Sequence, residues 1–266
     1  MEWALAYLAL GAFVGFFAGL FGIGGGLVMV PMLVWMLETQ HLGGAHVLHL
    51  ALGTSMAAIL FTSLSSARTH HAHDAVNLDI VRRITPGLFL GTLCGALLAS
   101  RIPALPLTLF FALFVYFSAA QMLLQLKPKA ARTLPGTPVI SMVGILIGAV
   151  SSLVSVGGGV MSVPFMLRHN VPLKQAIGTS AALGFPIALG GTLGYIVTGY
   201  AVDAPLPDAA LGFVYLPALI VLALGSLLTT HLGARAAHRL PLAILRRGFA
   251  LLLFVLATRL LLKAII

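Results

Sequence analysis

Two glycine-rich stretches hold the residues best suited to chemistry in this chain. Residues 20–31 read LFGIGGGLVMVP, and residues 153–164 read LVSVGGGVMSVP. Aligned without a gap from residues 11/144 to 33/166, they share Gly11/Gly144, Gly15/Gly148, Leu20/Leu153, three consecutive glycines, Val30/Val163 and Pro31/Pro164. Such self-similarity marks an internal repeat. Three glycines inside an apolar stretch remove side chains, weaken a helix and let the backbone turn or approach a ligand closely. Each stretch is therefore predicted to break a membrane helix. A Gly-Thr-Ser follows each break, at residues 53–55 and 178–180, and Ser151, Ser152, Ser155 and Ser162 surround the second. A helix that begins inside the membrane presents free N–H groups and the positive end of its dipole. Those groups, with hydroxyl donors, suit a small oxyanion without any fixed cation.

The elements that must position these residues are read from composition. Hydrophobic residues make up 60% of the 266 and charged residues only 8%, where a soluble domain carries about 25% charged residues. Mean hydropathy is +1.08. At about 20 apolar residues per span, the chain has length for roughly eight to ten spans. The apolar runs are 3–21, 27–37, 47–66, 84–100 and 107–126, then 139–156, 160–167, 173–200, 211–232 and 242–266. Five segments thus face five, divided by the polar linker 127–138. The predicted organisation is a first transmembrane repeat (1–126), a cytoplasmic linker (127–138) and a second transmembrane repeat (139–266). Pro86 against Pro217 and Pro106-Leu against Pro241-Leu read as further echoes.

If residues 3–37 crossed the bilayer once, they would reach ~50 Å, well beyond a ~30 Å hydrocarbon core. Two arms returning to the side of entry fit better. Counting all ten segments places Arg68, Arg82, Arg83, Lys127, Lys129, Arg132, Arg168, Lys174, Arg235, Arg239, Arg246 and Arg247 on one side. Arg101, Arg259, Lys263, Glu38, Asp203 and Asp208 fall on the other. The positive-inside rule then sets both termini outside and the linker in the cytoplasm. An odd number of segments per half inverts the second half relative to the first. The fold class expected is all-α: a polytopic membrane protein of about ten helical segments in two inverted five-segment repeats, each opening with a glycine-broken helix.

The composition also narrows function. The net charge of +9 is dispersed over loops rather than gathered on one face, which argues against a nucleic-acid partner. The acidic residues Glu2, Glu38, Asp74, Asp79, Asp203 and Asp208 all sit at segment ends or in loops. Cation transporters commonly place a carboxylate within the membrane, so a cation substrate is disfavoured. No paired carboxylates, activated nucleophile or metal signature points to an enzyme, and no cofactor is expected. His70, His71, His73 and Asp74 have metal-like composition but read as a solvated loop, and His41, His46 and His49 lie around an outer loop and the entry to the third segment. Cys94, within an apolar run, reads as a buried inert thiol. No basic region precedes the first apolar run, so no cleaved signal peptide is expected. Alternative readings stay open: glycine for helix packing, Gly-Thr-Ser for bonds to its own or a neighbouring helix, and Pro31 and Pro164 as kinks or helix starts.

The motifs GLFGIGGGLVMVP and SLVSVGGGVMSVP, each followed by Gly-Thr-Ser, resemble those of the TauE/SafE family of membrane transporters, the sulfite exporter family. The resemblance covers essentially the whole chain. It implies a multi-pass inner or plasma membrane protein that moves small sulfur-containing anions such as sulfite or sulfoacetate, usually outward. Carried onto this sequence, the candidate binding residues are Gly24, Gly25, Gly26, Thr54, Ser55, Gly157, Gly158, Gly159, Thr179 and Ser180. Gly22 stands where the second motif has Ser155, so the site need not be symmetric. The expected partners are a small anionic substrate, a coupling ion if transport is coupled, and the lipid bilayer. The expected mechanism is alternating access, with a passive anion channel or small-solute facilitator as the alternative.

Overall fold

The computed structural model describes residues 2–124, 133–202, 205–237, 239 and 242–265. It contains ten α-helices: α1 (Glu2–Phe21), α2 (Gly26–Thr39), α3 (Val47–His71), α4 (Leu78–Ala99), α5 (Ala104–Leu124), α6 (Thr137–Leu153), α7 (Gly159–Arg168), α8 (Leu173–Ala201), α9 (Leu216–Ala236) and α10 (Leu242–Ile265). Among the described residues, six helical segments are long and apolar enough to cross a membrane: Trp3–Phe21, Gly44–His71, Leu78–Ala99, Ala104–Leu124, Leu173–Ala201 and Leu216–Ala236. The shorter α2, α6 and α7 have 14, 17 and 10 residues. The expected all-α polytopic architecture of about ten segments, with glycine breaks after α1 and α6, is what the chain forms.

The helices α3 and α8 lie at the centre of the bundle, with 78% and 67% of their most apolar stretch buried against 39–50% for the other four. Around them α1 packs on α9 and α4 on α6. Both interfaces depend on small residues that let backbones approach. A Cβ on Gly11 of α1 would overlap the Leu222 carbonyl of α9, and one on Gly144 of α6 would crowd the Ile84 carbonyl of α4. In the reverse direction, Gly225 of α9 abuts the Leu8 carbonyl and Gly87 of α4 abuts the Ser141 carbonyl. Each interface joins the two halves, and the contacts of one recur, residue for residue, in the other.

The arms of the first broken helix return to the side they came from. Gln40, just past the end of α2, donates a 2.7 Å hydrogen bond from Nε2 to the Tyr7 hydroxyl near the start of α1. The end of α10 joins them, since Lys263 pairs with Glu38 and the Arg259 guanidinium lies 4.9 Å over the Trp35 ring. In the second half Leu134, just before α6, packs on the cluster that contains Met166 at the end of α7.

Several sequence expectations are corrected. Pro86 and Pro217 are not equivalent: the threonine contacts described below align Asn77 with Tyr215, which sets Pro86 opposite Leu224. Pro86 lies inside α4, whereas Pro217 sits in the first turn of α9, where its missing N–H costs no helical bond. Residues 211–215, assigned to the ninth segment, instead form a hairpin of β1 (Ala210–Leu211) and β2 (Val214–Tyr215). Gly212 at φ +56° makes its turn. Cys94 is exposed on the outer surface of α4 rather than buried. Of the linker 127–138, Thr137 and Pro138 open α6; residues 127–132, like Asp203 and Pro241, lie outside the described residues.

Candidate functional site

The two glycine breaks meet each other in the middle of the protein. Gly25 and Gly158 occupy matching positions, each at φ +83°, as the left-handed residues from which α2 and α7 start. A side chain is disfavoured at such an angle, which explains a glycine at both. The N–H of Gly157 donates to the Ile23 carbonyl at 3.1 Å. A Cβ on Gly24 would come within 2.9 Å of Gly157 Cα, and one on Gly157 equally close to Gly24 Cα. The flanking contacts are reciprocal: Gly26 lies against the Ser155 carbonyl and Gly159 against the Gly22 carbonyl. Positions 22 and 155 both have positive φ, +67° and +46°. Ser155 is held there by its hydroxyl, which donates to the Leu52 carbonyl at 3.1 Å. The N-termini of α2 and α7, with their positive dipole ends, therefore converge; the Val28 and Met161 N–H groups of their first turns turn back to the Gly25 and Gly158 carbonyls.

The Gly-Thr-Ser segments flank this crossing from α3 and α8, and all four hydroxyl residues are fully buried. The threonines join the two halves. Thr54 Oγ1 accepts the Tyr215 N–H at 2.9 Å, and Thr179 Oγ1 accepts the Asn77 N–H at 2.9 Å. Tyr215 and Asn77 are the N-caps of α9 and α4. Thr54 also donates to the Leu50 carbonyl at 2.6 Å, so its hydroxyl is occupied on both sides. The glycines of these segments admit the same loops, Gly53 lying against the Phe213 carbonyl and Gly178 against the Ala75 carbonyl. Ser180 donates to the Ile177 carbonyl at 2.8 Å and reaches the Gly22 carbonyl at 3.4 Å. Ser55 Oγ, Ser151 Oγ and Ser162 Oγ are buried without a hydrogen-bond partner.

Beside the crossing lies a narrow cavity lined by Gly22, Gly24 and Gly157 of the breaks, Thr62, Ser63 and Ser66 of α3, Ala18 of α1, and Ala181 and Gly184 of α8. Its volume of about 10 Å³ leaves room for one small polar group. The three α3 hydroxyls were not among the sequence candidates. The signal that reveals them is helical spacing: Ser55, Thr62 and Ser66 fall on one face of α3.

That face continues to His70, which is not the loop residue expected. His70 is 1% exposed at the end of α3, with its Nε2 3.1 Å from the Gly19 carbonyl. His71, His73 and Asp74 are exposed beyond it. No cluster of three or more His, Cys, Asp or Glu side chains able to hold a metal occurs among the described residues. At the other end of α3, His46 and His49 pack around Phe213, with ring centroids 5.7 and 5.3 Å from it. The described carboxylates stay at the helix ends: Asp79 pairs with Arg83 at 2.9 Å, Glu38 pairs with Lys263, and Asp74 and Asp208 are exposed.

These features define a multi-pass membrane protein in which two broken helices meet at a buried, acid-free crossing. The chain belongs to the TauE/SafE sulfite exporter family, whose model matches residues 7–260. It is 39% identical, over 97% of its length and 98% of the relative's, to a probable membrane transporter protein of Haemophilus influenzae. It is 27% identical to the probable membrane transporter protein YdhB of Bacillus subtilis, over 90% and 92% of the two chains. A third relative, the probable membrane transporter protein MJ0441 of Methanocaldococcus jannaschii, is 23% identical over 86% and 84%. No solved structure gives a significant match. By family the protein is a membrane transporter.

Proposed function

We propose that this protein is a secondary transporter that moves a small oxyanion or organosulfonate, of the sulfite or sulfoacetate class, outward across the cytoplasmic membrane by alternating access. The observation that carries this reading is the convergence of the α2 and α7 N-termini at a buried crossing from which every described carboxylate is remote. Such a place favours an anion that accepts hydrogen bonds and disfavours a bare cation. The name of the family, sulfite exporter, supports both the substrate class and the direction.

The substrate would lie against Gly24, Gly25, Gly26, Gly157, Gly158 and Gly159, with Ser55 and Ser180 as nearby hydroxyls and Thr54 and Thr179 holding the frame. The reciprocal contacts between α1 and α9 and between α4 and α6 support two related halves. The Tyr7–Gln40 tie supports a returning first segment pair, hence an odd five segments per half and inversion of the second half. The arginines and lysine of the helix ends that flank the α3–α4, α7–α8 and α9–α10 connections (Arg68, Arg82, Arg83, Arg168, Lys174, Arg235, Arg246 and Arg247) support a cytoplasmic position for that face.

The test is counterflow of labelled sulfite in proteoliposomes of the purified protein, with sulfoacetate, taurine, sulfate and thiosulfate as competitors. Saturable uptake accelerated by sulfite preloaded inside is the expected result, and the competitors then map specificity. Flux indifferent to the far side would make the protein a passive anion pathway. Absence of flux under every imposed gradient would remove the substrate assignment.

A further inference from the structure

The cavity beside the crossing draws its hydroxyls from one half of the chain only. Thr62, Ser63 and Ser66 of α3 are buried, and Ser66, 2% exposed, has no hydrogen-bond partner for its Oγ. Thr62 and Ser63 donate to the Ile59 and Leu60 carbonyls of their own helix at 3.1 and 3.2 Å. These are long O–H···O contacts that a rotating hydroxyl gives up readily for a charged acceptor. Space opposite them exists because α8 contributes Ala181 and Gly184; a Cβ on Gly184 would lie 2.9 Å from Ser63 Cβ.

In the register that pairs Thr54 with Thr179, the positions matching Thr62, Ser63 and Ser66 are Ile187, Ala188 and Gly191, and those matching Ala181 and Gly184 are Met56 and Ile59. All but Gly191 are aliphatic or thioether side chains with no measurable exposure. Ile59 stands over Gly24, Ile187 over Gly158, and Met56 over Gly191, so the place where a second cavity would lie is filled by apolar side chains. Along α3 the hydroxyls lie beyond Ile59, toward the end that bears Arg68 and His71, while Met56 lies toward His46.

We propose that Thr62, Ser63 and Ser66 form the hydroxyl half of the anion site, and that the anion reaches it from the face of the basic loops, past the contact of His70 with the Gly19 carbonyl, while Met56, Ile59 and Ile187 close it from the other face. The ligand class rests on the oxyanion reading above; the direction of access does not. An oxyanion is larger than the one small group this cavity holds, so the cavity widens to admit it. It then accepts hydrogen bonds from the three hydroxyls on one side and lies against Gly22, Gly24 and Gly157, just before the α2 and α7 starts, on the other, which supplies charge stabilisation without a buried cation.

The experiment has two arms. In a full-length Cys94→Ala background, single Ser66→Cys and Met56→Cys variants are treated with a membrane-impermeant thiol reagent in intact cells and in inverted vesicles, with His71→Cys and Thr39→Cys marking the two faces. Ser66→Cys is expected to react at least about tenfold faster from the His71 face than from the Thr39 face, and Met56→Cys more slowly than Ser66→Cys from either, because the rate follows access. Equal rates for Ser66→Cys from both faces, or a faster Met56→Cys, would overturn the route. In the second arm, Ser66→Ala in the otherwise unaltered protein is expected to raise KM for sulfite counterflow about tenfold, as for one lost hydrogen bond to a charged group, with the maximal rate little changed. An unchanged KM would overturn the ligand role. If unaltered protein carries no sulfite, the substrate reading fails, while the labelling arm still decides the access route.

Discussion

Gly26 and Thr54 illustrate two ways in which single residues hold the centre of this protein. A Cβ at Gly26 would overlap the Ser155 carbonyl, which belongs to the backbone of the opposite break and cannot swing aside. Gly26→Ala is therefore expected to destabilise the protein by about 1–3 kcal/mol or more, read as a lower melting temperature in detergent. Gly248→Ala, with nothing within 4 Å of the added carbon, is the control and should melt at or above the unaltered protein. Thr54→Val removes the acceptor of the Tyr215 N–H and should cost about 1–3 kcal/mol, whereas Thr54→Ser retains the bond. If the threonine serves the frame, Thr54→Ser leaves the KM for substrate unchanged. The repetition of Gly-Thr-Ser was visible in the sequence. That its threonines accept N–H groups from loops 161 and 102 residues away was not, because no local pattern encodes a long-range partner.

At the scale of elements, the broken helix sets the topology. Continued straight through the break, α1 and α2 would hold residues 7 and 40 roughly 40–50 Å apart at ~1.5 Å per residue. Folded back, they touch through the Tyr7–Gln40 bond. A Tyr7→Cys/Gln40→Cys pair in the Cys94→Ala background should therefore be bridged by a bifunctional thiol reagent of about 10–15 Å span, far short of the ~50 Å that 33 residues of straight helix would set between them, seen as a shift in electrophoretic mobility. Failure to cross-link alongside preserved folding would argue for a single crossing, which would hold the two positions beyond the reagent's reach. The glycine run and the length of its two arms made this return legible beforehand. The β1–β2 hairpin was not legible, because residues 210–215 are as apolar as the helix that follows. Only its packing on α3 and α8, with the Phe213 N–H donating to the Tyr195 carbonyl, distinguishes it. The extension of α3 to His71 was missed for the opposite reason. Its last turns are polar, yet His70 is buried against α1 through the Gly19 carbonyl.

For the whole molecule, charge and contact agree on two faces. The contacts of Gln40 with Tyr7 and of Lys263 with Glu38 bring the start of α1 and the end of α10 together, while Arg68, Arg82, Arg83 and Arg168 lie at the other ends of the helices that bear them. A reporter fused after residue 266 is thus expected to read out on the same side as Thr39→Cys and opposite His71→Cys. A reporter on the His71 side would mean that α10 ends on the basic face, against the Lys263–Glu38 pair.

By itself the sequence determined the class of environment, the number of segments and the duplication, because hydropathy, glycine runs and loop charge are local or additive properties. It also located the two breaks, since a triple glycine at two matching places weakens the helix at both. Only the tertiary structure decided what the breaks do to each other. The crossing of Gly24 with Gly157, the use of Thr54 and Thr179 as caps, and the placing of the hydroxyl-lined cavity beside α3 all arise from contacts between distant segments. Near-identical motifs in the two halves concealed that asymmetry. A cavity forms where small residues face small residues across a helix interface, and Gly184 acquires that meaning only when folding sets it against Ser63.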